Sequence, residues 1–262
     1  MIKEKAYAKI NIYLKVLGKR ADGYHDLETL MVPINIYDEL EFVDYDYDII
    51  ESSINIKDNI MFKAIKYLKE TYNIKKCVKI TLDKNIPLCG GLGGGSADLC
   101  ATLRGLNKLW NLNLTINQLA DIALKFGSDT LFCMFNKPAI VRGRGDIIEF
   151  VSYPKKDIYV FKPRFEALTK DVFKLYRETD IGENELEMAL IRLYPDIYEF
   201  KMYYESQGLK LHLTGSGSSY YSFDMKEFNS NYNNLELKTE TLEWKKYHYF
   251  HKNHWKRFLI MI

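Results

Sequence analysis

Five of the six residues from Gly90 to Gly95 are glycine, and the run stands between two different periodicities. Before it, Val78-Lys79-Ile80-Thr81-Leu82 alternates apolar and polar residues, as a half-buried strand does. After it, a helix is predicted from Ser96, with Leu99, Leu103, Leu106 and Trp110 on one face. Backbone N–H groups gather unpaired at a helix N-terminus, where the helix dipole adds partial positive charge. Glycine leaves no Cβ to keep a bulky anion away. The stretch therefore predicts a phosphate cradle, with a merely flexible turn as the alternative. Two common cradles are excluded. Ser96-Ala97 follows Gly95 where a Walker loop needs Lys-Ser/Thr, and Ser96 stands where a dinucleotide fingerprint needs its third glycine.

At 262 residues the chain suits two domains or one large one. A net charge of +2 gives no field directed at nucleic acid or membrane. Cys77, Cys89, Cys100 and Cys133 form no C-x-x-C pair, so neither a zinc site nor a disulfide framework is indicated. Met1 to Lys5 has no apolar leader and no run is long enough to span a bilayer, so a cytoplasmic setting is expected.

Residues 5–17 read as a strand in which Lys9, Asn11, Tyr13 and Lys15 share one face, opposite Ile10, Ile12, Leu14 and Val16. By alternation alone Lys9 reads first as a solvated strand lysine. Gly18 to His25 is a turn cluster, and Tyr24-His25 at its end suits a planar base, or simply solvent. A second strand follows from Leu27 to Val43. Asp58 is placed at the N-cap of a helix running to Tyr72, with Met61, Ala64, Leu68 and Thr71 as its apolar stripe. Thr115-x-x-Gln118 is a capping box for a helix carrying Leu119, Ile122, Ala123 and Phe126, with Gly127 as its C-cap residue. Asp129 would then sit just past a helix C-terminus, where the dipole disfavours a carboxylate unless a cation compensates.

Leu131 to Phe135 reads as strand. Ala139 to Arg142 and Ile147 to Val151 read as a hairpin about Gly143-Arg144-Gly145-Asp146. A boundary falls near 152–156, giving domains 1–154 and 155–262. The second half alternates strands (158–161, 210–213, 220–223) with helices (169–176, about 183–193, 196–206), a smaller α+β unit. Thr214 to Ser219 is a second small-residue loop. The basic, aromatic stretch Lys245 to Arg257 reads as a last strand with a solvated end, or as a nucleic-acid or metal contact.

Pro87 to Ser96 resembles the ATP-binding motif of the GHMP kinases, and Thr214-Gly215-Ser216-Gly217 resembles their third motif. Ala8-Lys9-Ile10-Asn11, Arg20 to His25, Asp83-Lys84-x-Ile86-Pro87, Leu106-Asn107-x-Leu109-Trp110, Phe126-Gly127-Ser128-Asp129 and Arg142-Gly143-Arg144-Gly145 extend the likeness over most of residues 6–224. Their order and spacing resemble the branch of the family whose alcohol substrate carries a cytidine diphosphate.

The resemblance implies an α+β, two-domain GHMP kinase fold, with a ribosomal-protein-S5-like N-terminal domain and a ferredoxin-like C-terminal one. It implies transfer of the γ-phosphoryl group of ATP, with Mg2+, in the cleft between them. The catalytic pair falls on Lys9 and Asp129. ATP contacts fall on Asn59, Lys84, Pro87, Leu88, Cys89, Gly90, Gly91, Leu92, Gly93, Gly94, Gly95, Ser96 and Asp98, with Ser96 also at the metal. Substrate contacts fall on Asn11, Tyr24, His25, Thr169, Phe173, Gly215 and Ser216, with Tyr24 and Phe173 sandwiching the base and His25 bonding its edge. Partners are then small molecules only, with neither nucleic acid nor membrane, in a monomer or homodimer.

Two departures stand out. Thr130-Leu131 replaces the family's usual Val-Pro after the aspartate, and Ser96-Ala97-Asp98 carries one hydroxyl fewer than usual near the phosphates. The competing readings are a GHMP kinase for homoserine or mevalonate, and a non-catalytic nucleotide or RNA binder.

Overall fold

The computed structural model describes residues 1–56, 58–230 and 235–244. The basic aromatic stretch from Lys245 onward lies outside them.

Two long strands, β1 (Ile2–Lys19) and β2 (His25–Tyr45), form an antiparallel hairpin closed by the Arg20–Tyr24 turn. β3 (Ile49–Ser52) and β4 (Cys77–Asp83) pair in parallel, and β4 pairs with the Glu39–Tyr45 half of β2. The Leu27–Met31 half of β2 pairs with β5 (Ala139–Gly143), which continues into β6 (Ile147–Phe150). The six-stranded sheet runs β3-β4-β2-β5-β6, with β1 also on β2.

Helices α1 (Met61–Tyr72), α2 (Gly94–Leu109), α3 (Ile116–Ala123) and α4 (Thr130–Phe135) build a core with this sheet around Phe42, Ile80, Leu82, Leu99, Leu103 and Leu106. Helix and sheet come close at Gly105 of α2, where a Cβ would lie 2.4 Å from the Phe42 ring. Only glycine admits that approach.

The second half places β7 (Asp157–Lys162), β8 (His212–Leu213), β9 (Tyr220–Ser222) and β10 (Leu235–Glu240) in the order β10-β7-β9-β8. α5 (Thr169–Leu175), α6 (Glu187–Leu193) and α7 (Asp196–Glu205) complete it, around Phe161, Phe200, Tyr204 and Tyr220. The two halves share β1. Ala8 and Ile10 pack with Val160 and Tyr221, while Leu14 joins the second core and exchanges backbone hydrogen bonds with Glu183 and Glu185. No helix among the described residues is long and apolar enough to cross a membrane.

Several local readings differ from the structure. Leu131 to Phe135 is helix α4, not strand; a short apolar run carries no periodicity that separates the two. α3 ends at Ala123 and the chain turns through Lys125 and Phe126, so Gly127 is not its cap. Asp58 does not cap α1; it is Asn59 Oδ1 that accepts from Met61 N at 3.0 Å. The α1 stripe is Met61, Ala64, Ile65 and Leu68, and Thr71 is exposed.

Candidate active site

Lys9 stands where a bulge between Tyr7 and Lys9 interrupts the β1–β2 pairing. Its side chain is only 3 % exposed, so it is not a solvated strand lysine. The ammonium donates to Asn11 Oδ1 and to Gly91 O, both at 2.7 Å, and lies 3.6 Å from Asp129 Oδ2. Lys9 and Asn11 do share a strand face. Asn11 is held in turn: its amide nitrogen donates to Thr29 Oγ1 at 2.8 Å, and its backbone N–H to Thr214 Oγ1 at 3.1 Å.

Asp129 is the residue immediately before α4, at a helix N-terminus. The dipole therefore favours its charge, the reverse of the sequence expectation, because the segment that follows is helical. Two features aim the loop. Thr130 Oγ1 lies 2.6 Å from Gly127 O and 2.8 Å from Ala123 O, a hydroxyl tether across the loop that carries Asp129. Gly145, at φ +97°, packs on the loop so tightly that a Cβ would lie 1.9 Å from Ser128 O.

The glycine run wraps the lysine. Lys9 N–H donates to Leu92 O, and Cβ atoms at Gly93 and Gly215 would lie 3.1 Å from Lys9 Cγ and Nζ respectively. Gly91, at φ +71°, faces the second small-residue loop, where a Cβ would meet Thr214 O at 2.3 Å. Ser219 N–H donates to Gly90 O. The two loops thus support each other through bare backbone. α2 begins at Gly94, two residues earlier than expected, with Gly93 as its N-cap and no side chain spent on capping. No atom approaches the Cβ position of Gly95 within 4 Å, so the first turn opens outward, with Ser96 partly exposed beside it. Pro87 is half-buried and Leu88 and Cys89 are exposed on the run's approach.

A cavity of about 610 Å³ opens from this point. Its lining includes Lys9, Asn11, Gly91 and Asp129 at one end and Tyr24, His25, Thr169, Phe173, Gly215 and Ser216 beyond. Every residue expected at the substrate or at the chemistry is thus in one cavity. Thr169 Oγ1 and Ser216 Oγ lie 2.9 Å apart.

The aromatic arrangement differs from the expected sandwich. His25 stacks on Phe173 with ring centroids 5.0 Å apart and planes 20° apart, while Tyr24 lies under the Arg144 guanidinium at 4.7 Å. Burial, with some help from the Lys19 charge, pushes the His25 imidazole below its ordinary pKa.

Four residues expected on the nucleotide side are held within the protein. The Lys84 side chain is 2 % exposed and ion-paired to Asp38 and, at 3.0 Å, to Asp98. Its ammonium is held between these two buried carboxylates. Asp98 is buried as well, and burial pushes its carboxyl up to about 8, with Lys84 opposing and Asp38 adding to the rise. The Leu92 side chain is buried in the core between the halves. Asn59 stays on the surface side of α1, its carboxamide oxygen committed to Met61 N–H.

Sequence reasoning missed Thr29 and Thr214, which orient Asn11, and the cations Lys19, Arg144, Lys170 and Lys174 on the cavity wall. Thr214 and Arg144 lay within motifs already noticed; their glycines drew attention instead. The rim lysines carried no local signal.

Residues 59–137 match the family of GHMP kinases by its N-terminal domain. The chain is 46% identical over 185 residues to the 4-diphosphocytidyl-2-C-methyl-D-erythritol kinases of Bacillus anthracis and Bacillus cereus (strain AH187). Each match covers 67% of this chain and 64% of the relative. Among solved structures, a 4-(cytidine 5'-diphospho)-2C-methyl-D-erythritol kinase superposes with TM-score 0.78 at 24% identity, over 92% of this chain and 99% of the other. A homoserine kinase from Cytophaga hutchinsonii superposes with TM-score 0.63 at 17% identity, over 92% and 95%. A mevalonate kinase does so with TM-score 0.71 at 14% identity, over 93% and 100%. These structures share the fold of this chain.

Proposed function

We infer that this chain, which has the GHMP kinase fold and carries a GHMP N-terminal domain, phosphorylates the 2-hydroxyl of 4-diphosphocytidyl-2-C-methyl-D-erythritol at the expense of ATP. That is a step of the non-mevalonate route to isoprenoid precursors, in a cytoplasmic setting. One observation carries the reading most: the Lys9–Asp129 pair and the His25–Phe173 stack line the same cavity. A homoserine or mevalonate site has no use for an aromatic stack beside its reacting hydroxyl. The same reading divides the chain into an ATP-binding domain, residues 1–154, and a second domain from 155.

Phosphoryl transfer asks a protein for positioning and charge stabilisation. A carboxylate is far too weak a base to ionise an alcohol beforehand. Asp129 instead accepts a hydrogen bond from the hydroxyl, aligns the oxygen, and takes the proton as the new P–O bond forms. Lys9, held by Asn11 and Gly91, keeps its ammonium beside Asp129 and offsets charge on the phosphoryl oxygens.

The N–H groups of Gly93 to Ser96 suit the ATP phosphates, since α2 has no side-chain cap and Gly95 has open space before it. Mg2+ also fits, as a hard cation that takes hydroxyl and phosphate oxygens. Ser96 would hold it, and when bound it supplies positive charge to the phosphates. Phe173, His25 and Tyr24 bind the cytosine, and ligand entry between Phe173 and Tyr24 requires the His25 ring to swing off its stack.

The deciding assay couples ADP release to 4-diphosphocytidyl-2-C-methyl-D-erythritol, homoserine and mevalonate in parallel. Turnover of the cytidine substrate alone supports the reading, and preference for either aliphatic alcohol removes it.

A further inference from the structure

The network under the glycine run touches both of its ends. Asp38, on β2 and fully buried, accepts the backbone N–H groups of Asn85 at 2.6 Å and Ile86 at 2.7 Å, where the chain leaves β4. It also accepts from the Lys84 ammonium. That ammonium reaches Asp98 Oδ2, on the second turn of α2, where the run ends. A Cβ on Gly94 would lie 3.1 Å from Lys84 Nζ, so the charge sits directly beneath the first helical peptide. Asp98 Oδ1 is buried without a hydrogen-bond partner, so the carboxyl is held through its contacts with Lys84 and with the neighbouring Asp38.

We propose that Asp38, Lys84 and Asp98 are positioning residues for the triphosphate cradle: a buried bracket that sets the distance between the start of the glycine run and the N-terminus of α2. The proposal rests on the cradle binding ATP, as inferred above, and not on the identity of the alcohol. Lys84 is a lysine of the nucleotide side that acts without touching the nucleotide. The bracket acts by registry. Asp38 fixes where the run begins, and Asp98 fixes the rotation of α2 and so the direction of its free N–H groups. Lys84 is the only cation between them among the described residues. Buried ionic groups are best attested in this specifying role, since an apolar replacement serves stability as well.

The test reads ATP affinity directly, by titrating Mg·ATP into the protein without any alcohol, so that a wrong substrate assignment does not affect it. Asp98→Leu leaves the ammonium paired to Asp38 and removes only its tether to α2. Positioning predicts ATP binding weakened about tenfold or more, the scale of a lost charged hydrogen bond. Direct contact between Lys84 and the nucleotide predicts unchanged or tighter binding, and that result overturns the proposal. Asp98→Asn, which keeps an acceptor toward Lys84, is expected within about threefold of the parent. Lys84→Met leaves two buried carboxylates unpaired and is expected not to fold. The Lys84→Met/Asp98→Leu double variant replaces the pair by apolar side chains of similar size. It is expected to fold, to bind ATP at least about tenfold more weakly, and to keep its KM for the alcohol. Parent-like ATP affinity in that folded variant also overturns the proposal.

Discussion

Lys9 Nζ lies 3.6 Å from Asp129 Oδ2, although one residue belongs to the first strand and the other to a loop beyond the third helix. The lysine is buried and the aspartate is 31 % exposed toward the cavity, so the pair presents one shielded cation and one accessible acceptor. Asp129→Asn keeps the shape and removes the acceptor charge. Turnover is expected to fall by roughly 10²–10⁴-fold, the usual worth of a general base, while Mg·ATP still binds. Single-turnover kinetics with an ATP titration check both halves.

The Thr130 hydroxyl ties down the loop that carries Asp129. Thr130→Val deletes the hydroxyl that lies between Gly127 O and Ala123 O at nearly constant volume. A cost of about 1 kcal/mol in stability is expected, with kcat falling more than either KM changes. Thr130→Ser is expected to restore kcat. Thermal melts and steady-state kinetics distinguish this from simple destabilisation.

Gly145 holds the same loop from the other side. Gly145→Ala puts a Cβ into Ser128 O and forces an L-residue to φ +97°. The backbone term alone costs about 1–2 kcal/mol, and the clash moves Ser128 and Asp129. Reduced kcat with a lowered melting temperature is the expected result.

Phe173→Ala removes the surface on which His25 rests and on which a base would stack. Affinity for the cytidine substrate is expected to drop by roughly 1–3 kcal/mol, with KM for ATP unchanged. An unchanged KM for the cytidine substrate would show that the stack does not serve the base.

His25 supplies a pH dependence. Its pKa is depressed by burial, so folding favours the neutral ring. The stability this contributes is present above the ordinary imidazole pKa and is lost as pH falls through the lowered one. Substrate affinity is expected to stay flat from pH 8 down through the usual histidine range and to decline only below it. His25→Gln should flatten that acid limb, as read from KM across pH.

Much of this was legible locally. The Thr115–Gln118 capping box, the alternation of Val78 to Leu82 and the hairpin about Gly143 to Asp146 are short-range effects of backbone sterics and neighbouring hydrogen bonds, and all are present. α4 was not legible, because Leu131 to Phe135 is one apolar run in which Leu131 to Met134 are all buried, leaving no polar face to show a period. The dipole argument about Asp129 inherited that error and changed sign with it.

The chain alone determined where glycine is obligatory and where a helix can begin with its N–H groups bare, since those depend on φ, on Cβ and on the next few residues. It also placed Lys9 and Asn11 on one face, a matter of strand period. Which lysine meets which carboxylate was decided only by the tertiary structure. Lys9 and Lys84 both flank glycine-run residues, yet one reaches the cavity and the other is closed between Asp38 and Asp98. The difference arises from β2 pairing with β4 while α2 packs across β1 and β2, a long-range arrangement that burial drives and that no local pattern encodes.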